Sequence, residues 1–267
     1  MKGSIVWLSE HDSPDAFPAV DRALCEPDGL LAAGGDLSPA RLVAAYRRGI
    51  FPWYSRGQPI LWWSPDPRAV LIPSQLKVSR SLGKSIRNRG YETRVDTAFR
   101  EVIRHCGSTQ LRPGGTWLSP QMRAAYLRLH KLGLAHSVET WQQNRLVGGL
   151  YGVAIGRVFF GESMFSIERD ASKVALKHLC DELIARGFRM IDCQMATPHL
   201  LSMGAQLIPR AEFVTLLRSH VGEDPTPDHP APLEAAIPGT AVPLAPQAAP
   251  ALWAGAQDFG LLQHPRY

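Results

Sequence analysis

Between residues 136 and 162 the chain has room for little but a meander. Three runs of strand-forming composition, 136–142, 145–155 and 157–162, are separated only by Gln143-Asn144 and by Gly156. Connections that short cannot cross a sheet, so the three strands must turn back on one another as antiparallel neighbours.

Around this meander, strand and helix patterns alternate. Residues 69–72 read as a strand and 80–89 and 97–106 as helices. A longer helix over 120–132 places Met122, Ala125, Tyr126, Leu129 and Leu132 on one face. After the meander come a helix over 171–186 stopped by Gly187, a strand over 189–194 and a final helix near 210–220. Mixed strands followed by a helix and a returning strand imply an α+β sheet with helices on its faces.

Residues 1–67 form a distinct, smaller piece rich in Pro, Gly and Trp. Ser38 and Pro39 start a short helix with Leu42, Ala45 and Tyr46 on one face; Gly49 ends it, and Phe51-Pro52-Trp53 make a turn. Pro65 and Pro67 punctuate the join to a larger domain over 68–222. Residues 223–267 are Pro- and Ala-dominated with no periodicity, and are expected to be a mobile tail.

Composition narrows the function. The first 17 residues carry Glu10, Asp12 and Asp15 and no long apolar run, so no secretory leader is expected. No stretch reaches the apolar length of a membrane span. Cys25, Cys106, Cys180 and Cys193 are scattered, which fits free thiols in a reducing, cytoplasmic setting. The net charge is +5, but residues 223–267 hold five acidic residues against Arg266 alone. That tail is thus −4, leaving +9 on residues 1–222. A basic body favours a polyanionic partner, although ordinary solubility charge gives the same number. The chain has no GxxxxGK[ST] loop, no HExxH and no GxSxG elbow, which removes the usual signatures of nucleotide, zinc and serine hydrolases.

Four features carry possible chemistry. Asp192 and Gln194 are two apart in a strand, so they share a face opposite Ile191 and Cys193; a polar strand end explains this equally simply. Glu162 lies at the close of its strand among Gly161, Met164 and Phe165, where an unpaired charge is costly. It is either paired within the protein or meets a cationic ligand. Trp53 and Trp117 sit in Pro- and Gly-rich loops and could stack on unpaired bases, whereas core packing is the usual use of Trp62 and Trp63. Arg80, Lys84 and Arg87 fall at i, i+4 and i+7, a basic helical stripe that is either a solvated face or a set of phosphate contacts.

The strings EPDGLLAAGGDLS, YRRGIFPWYS, LWWSPDPRAVL, GTWLSPQM, LVGGLYGVAIGRVFFGESMFS and IDCQMATPHLLSMGA resemble the bacterial leucyl/phenylalanyl-tRNA–protein transferase family over about residues 17–217. The tail does not match the family pattern. The resemblance implies a small N-terminal domain packed on a larger acetyltransferase-like (GNAT-type) acyltransferase domain, acting as a cytoplasmic monomer without metal or coenzyme. It implies transfer of Leu or Phe, less readily Met, from aminoacyl-tRNA to proteins whose first residue is Arg or Lys, marking them for degradation by the N-end rule. By that resemblance Gln194 accepts a hydrogen bond from the attacking amine, Asp192 polarises and orients it, and Glu162 receives the cationic acceptor. Trp53 and Trp117 hold the 3′ adenosine, and Phe159, Met164, Leu176 and Leu179 line the aminoacyl side-chain pocket. With a tRNA as partner, the basic stripe of Arg80, Lys84 and Arg87, read from spacing and charge rather than from the resemblance, would be its phosphate contacts.

Two other readings compete. An acetyl-CoA N-acetyltransferase would present an R-x-x-G-x-G/A loop at a helix N-terminus, but here Arg145 to Gly149 fall within a strand. A non-catalytic RNA-binding module would leave Glu162, Asp192 and Gln194 idle.

Overall fold

A computed structural model describes residues 5–108 and 116–222. The tail over 223–267, and Gly114-Gly115 before Trp117, lie outside the described residues.

The N-terminal part contains β1 (Val6–Leu8), β2 (Leu30–Gly34), α1 (Pro39–Arg47), β3 (Phe51–Pro52) and β4 (Leu61–Trp63). Its strands form a sheet in the order β1-β2-β4-β3. Sequence patterning missed this sheet because strands of two to five residues are too short to show a period. Helix α1 forms as expected: the Ser38 side chain accepts from the Arg41 N–H, Pro39 occupies the first turn and Gly49 takes a left-handed φ of 77°. A Cβ at Gly49 would lie 2.7 Å from the Phe213 ring, so the C-terminal helix also requires glycine there.

The larger part runs β5 (Arg68–Leu71), α2 (Arg80–Asn88), β6 (Glu92–Val95), α3 (Phe99–Cys106), α4 (Pro120–Lys131), β7 (Ala135–Gln142), β8 (Arg145–Ile155) and β9 (Val158–Ser166). It continues with α5 (Ala171–Ala185), β10 (Met190–Gln194), α6 (Pro198–Ser202), β11 (Gln206–Ile208) and α7 (Arg210–Val221). The sheet order is β11-β5-β10-β9-β8-β7-β6, and β9 with β10, joined through α5, is its parallel pair. The α+β class and the β7-β8-β9 meander are as expected. The short edge strands β6 and β11 and the one-turn α6 were not.

Two expected boundaries move for physical reasons. Helix α3 begins at Phe99 rather than 97 because Asp96 is left-handed and Glu139 takes the place of a cap. The buried Glu139 carboxylate, from β7, accepts from the Thr97 and Ala98 N–H groups and from the Thr97 and Ser137 hydroxyls. Strand β9 does not close at Glu162 but runs on to Ser166 through a bulge. Gly152 pairs with Gly161 and Tyr151 with Ser163, so Glu162 is the extra residue. The bulge reverses the side-chain phase beyond it. Phe160 and Phe165 thereby face the same core, while Phe159 and Met164 face the other. Opposite it, a Cβ on Gly152 would lie 2.2 Å from the Phe160 carbonyl oxygen, so the close approach excludes a side chain.

Apolar residues cover both faces of the seven-stranded sheet. Leu82 of α2 and Val174, Leu176, Leu179 and Leu183 of α5 pack on one face. On the other face, α1, α3, α4 and α7 form a core that also takes in Leu30, Phe51, Trp62 and Trp63 of the small sheet. The two sheets divide between Trp63 and Arg68, but the apolar core is continuous across that division.

Candidate functional site

The ladder between β9 and β10 ends at Phe160 opposite Asp192, while both strands continue. Each is bulged just there. On β10 the register against β5 shifts between Asp192 and Gln194, making Cys193 the extra residue and placing Gln194 at a left-handed φ of 62°. Sheets are commonly bulged beside functional sites, where the extra residue re-aims a side chain. Here the two bulges turn Glu162 and Gln194 toward each other, and Gln194 Nε2 donates to Glu162 Oε1 at 3.0 Å.

Asp192 and Gln194 reach the α1/α4/α7 face, and Ile191 and Cys193 pack on the α5 side, as alternation predicted. Asp192 is not a free polar strand end. Both of its oxygens accept from the Arg68 guanidinium at 2.8 and 2.7 Å, and Asp192 Oδ1 also accepts from the Gln194 N–H at 2.9 Å. Arg68 and Asp192 are both fully buried. The guanidinium lies over the Phe51 ring at 4.9 Å and the Phe213 ring at 4.6 Å. Sequence reasoning did not single out Arg68. An arginine opening the apolar run Arg68-Ala-Val-Leu71 was the available signal, since such a charge is buried only with a partner.

Glu162 is enclosed by donors. The Tyr46 hydroxyl, from α1, donates to Glu162 Oε1 at 2.6 Å, and the Tyr126 hydroxyl, from α4, donates to Glu162 Oε2. The two hydroxyls are 2.9 Å apart. Burial pushes the Glu162 carboxyl up to about 7, against the lowering effect of both tyrosines and Gln194 and with a further upward push from Asp192. Burial, then the Glu162 charge, raises both tyrosines well above their ordinary value, so they remain hydroxyl donors. Sequence analysis placed Tyr46 and Tyr126 on apolar helix faces without a role. A buried tyrosine needs a partner for its hydroxyl, and two facing one carboxylate could be suspected on that ground. Burial raises the Cys193 thiol far above its ordinary range, so it is no nucleophile.

The remaining predicted residues fall into three places. Phe159, Met164, Leu176 and Leu179 join one apolar cluster under α5, on the sheet face opposite the tyrosines. Trp53 and Trp117 are each 8% exposed and border the other core. Their loops meet, since the Tyr54 hydroxyl is 3.4 Å from Ser119 Oγ. Arg80, Lys84 and Arg87 form an exposed stripe on α2, apart from the Glu162 cluster, with Leu82 and Ile86 turned inward. Arg145 to Gly149 lie within β8, as read from the sequence, although Gly148 packs against Ala171 at the start of α5, where a Cβ would come within 2.5 Å. Among the described residues no helix is long and apolar enough to cross a membrane.

Both parts of the chain are similar to known proteins of one family. A leucyl/phenylalanyl-tRNA protein transferase model matches residues 70–218, and a model of the N-terminal domain of the same transferases matches residues 35–66. A leucyl/phenylalanyl-tRNA–protein transferase from Azoarcus sp. is 62% identical over 84% of this chain and 94% of its own length. One from Aromatoleum aromaticum is 61% identical over 84% and 93%. A GCN5-related N-acetyltransferase from Kribbella flavida superposes with a TM-score of 0.35 at 12% identity, over 64% of this chain and 61% of its own, too distant to bear on chemistry. With both parts of the body matched and relatives this similar over nearly their whole length, the chain belongs to the leucyl/phenylalanyl-tRNA–protein transferase family.

Proposed function

We propose that this protein is a cytoplasmic, monomeric aminoacyltransferase. It moves Leu or Phe, and less readily Met, from aminoacyl-tRNA to the N-terminal Arg or Lys of acceptor proteins. The observation that carries this reading is the Gln194–Glu162 hydrogen bond at the end of the β9–β10 ladder. Glu162 takes the NH₂ end of the Gln194 amide, leaving Gln194 Oε1 as an acceptor for an incoming amine.

Gln194 Oε1 accepts a hydrogen bond from the attacking α-amine, whose pKa of roughly 8 leaves an appreciable neutral fraction at working pH. Asp192 acts through Gln194: it holds the Gln194 N–H and, anchored by Arg68, keeps the bulge in place. Glu162 receives the positive charge of the acceptor's first residue. The amine nitrogen attacks the ester carbon, the bond to the tRNA 3′ oxygen breaks, and that oxygen leaves with a proton. An aminoacyl ester is already activated, so alignment of the two substrates, worth on the order of 7–11 kcal/mol, does most of the work. The donor side chain enters between Phe159, Met164, Leu176 and Leu179, Trp53 and Trp117 hold the terminal adenosine, and Arg80, Lys84 and Arg87 meet tRNA phosphates. Donor and acceptor would then approach from opposite sheet faces and meet where β9 and β10 part.

The test mixes the protein with radiolabelled Leu-tRNA and a peptide beginning with Arg. Label should pass to the peptide, and not to a matched peptide with a blocked N-terminus. Absence of labelled peptide with intact Leu-tRNA would overturn the assignment.

A further inference from the structure

Three oxygen contacts close a ring inside the protein: Tyr46 to Glu162 Oε1 at 2.6 Å, Tyr46 to Tyr126 at 2.9 Å, and Tyr126 to Glu162 Oε2. Each contact at that range calls for one hydrogen, and the two tyrosines supply two. With Glu162 ionised, both hydrogens go to its oxygens, and the hydroxyl oxygens face each other with lone pairs alone. One more proton completes the ring. Glu162 Oε2–H then donates to Tyr126, Tyr126 O–H donates to Tyr46, and Tyr46 O–H donates to Glu162 Oε1. That last oxygen still accepts from Gln194 Nε2.

We propose that Glu162, set in this ring by the positioning residues Tyr46 and Tyr126, carries the ring's third proton in the free enzyme, and that capture of an acceptor beginning with Arg or Lys drives this proton into solvent. The inference rests on the reading of Glu162 as the partner of the acceptor's charge. The neutral acid and the cationic acceptor go in; the carboxylate–cation pair and one proton come out, and only the Glu162 O–H bond breaks. In the bound state both tyrosines donate to the carboxylate, and the incoming cation takes over the work of the lost proton.

The groups facing Glu162 favour this arrangement. Tyr46 approaches from α1 and Tyr126 from α4, with the Tyr151 ring of β8 5.3 Å from that of Tyr126. From β10, Asp192 disfavours a second negative charge, while Arg68 of β5 is engaged by Asp192 in its bidentate pair. Burial and Asp192 together lift the Glu162 midpoint to about 7, within reach of an arriving cation. An empty site of this kind holds no unpaired buried charge, which would be costly.

The experiment titrates an Arg-initiated peptide into the full-length protein by calorimetry, in buffers of different ionisation enthalpy. It uses wild type and Glu162→Gln, at about pH 6 and about pH 8.5, either side of the Glu162 midpoint. The peptide's own amine titrates equally in both proteins, so the difference isolates Glu162. Wild type should release about one proton more than Glu162→Gln at the lower pH and no more at the higher. In turnover, the wild-type KM for the Arg peptide should climb below the midpoint by up to about tenfold per pH unit more than that of Glu162→Gln, in which only the peptide's own amine titrates. Tyr46→Phe and Tyr126→Phe each remove a bond that favours the charged form, so the wild-type midpoint should move to higher pH.

Equal proton counts in wild type and Glu162→Gln overturn the linkage. Peptide affinity untouched by Glu162→Gln overturns instead the reading of Glu162 as the acceptor's partner. An unmoved midpoint in folded phenylalanine variants removes the tyrosines from the proposal. If those variants do not fold, the infrared band of a protonated carboxyl decides. It should be present in wild type at low pH, absent from Glu162→Gln, and lost on adding the Arg peptide; persistence with peptide bound refutes the proposal.

Discussion

Replacing Arg68 by Met should destabilise the protein far more than an ordinary surface change, and stability should return without activity when Asp192 is replaced as well. Arg68 and Asp192 are fully buried and joined by two hydrogen bonds, so Arg68→Met leaves an uncompensated buried carboxylate. Breaking such a pair costs about 3–5 kcal/mol, and a body this size loses roughly 2–4 °C in Tm per kcal/mol, so the fall should be on the order of 6–20 °C. Arg68 Nη1 has no hydrogen-bond partner among the described residues, so the pair is not fully compensated even when intact. Phe51 and Phe213 already line the guanidinium with apolar surface. Arg68→Met with Asp192→Leu should therefore recover most of the lost stability, as apolar replacement of a buried ion pair commonly does. It should not recover transfer, because the Gln194 N–H then loses the oxygen that holds its left-handed bulge. Chemical denaturation gives the stabilities and the Leu-tRNA assay the rates. A cost under about 1 kcal/mol for Arg68→Met, or a double variant that transfers normally, refutes the reasoning.

Other outcomes follow from the same geometry. Gln194→Ala should lower transfer strongly while tRNA affinity, measured by filter binding, stays close to wild type. Lys84→Glu and Arg87→Glu should each weaken tRNA binding and flatten the slope of log affinity against log salt by up to about one unit; an unaltered slope makes the stripe a solvated face. Glu162→Gln should lower the kcat/KM preference for Arg over Ala acceptors by about one to two powers of ten, consistent with losing a partly desolvated charge pair. Folding raises the Glu162 pKa from 4.5 to about 7, so the unfolded chain binds fewer protons in that window and stability falls as pH rises through it. Relative to Glu162→Gln, wild type should lose on the order of 3 kcal/mol across that range, and parallel denaturation curves would contradict the burial of the carboxyl.

Long, periodic elements were legible in the sequence. The meander, α4 and α5 declare themselves because each repeats its apolar spacing over several turns or alternations, and Ser38, Gly49 and Gly187 mark helix ends by local chemistry. The candidate site was half legible. Glu162, Asp192 and Gln194 stand out as polar residues in apolar strands, but the partners that define them are 32 to 124 positions away in sequence. Tyr46, Tyr126 and Arg68 therefore look like core residues until the sheet brings them together. Bulges are illegible for a different reason. Nothing in Phe159-Phe-Gly-Glu-Ser-Met-Phe165 says which residue is the extra one, because the choice is made by the register of the neighbouring strands.

The contact between Gly49 and Phe213 bears on how the chain is made. The turn after α1 leaves the ribosome more than 160 residues before α7 does, yet Phe213 and Leu217 fill the space against Gly49, and Arg210 Nη1 donates to the Ser64 carbonyl oxygen. An early segment is thus closed by a helix far later in the chain. Domains generally fold as they emerge, N-terminal part first. In this protein the turn at Gly49 instead lacks its α7 cover, and Phe51 the Arg68 guanidinium wedged against Phe213, until synthesis passes residue 221. Between the synthesis of Gly49 and that of α7 the nascent chain carries this apolar surface uncovered, which makes that interval one in which it needs protection from aggregation.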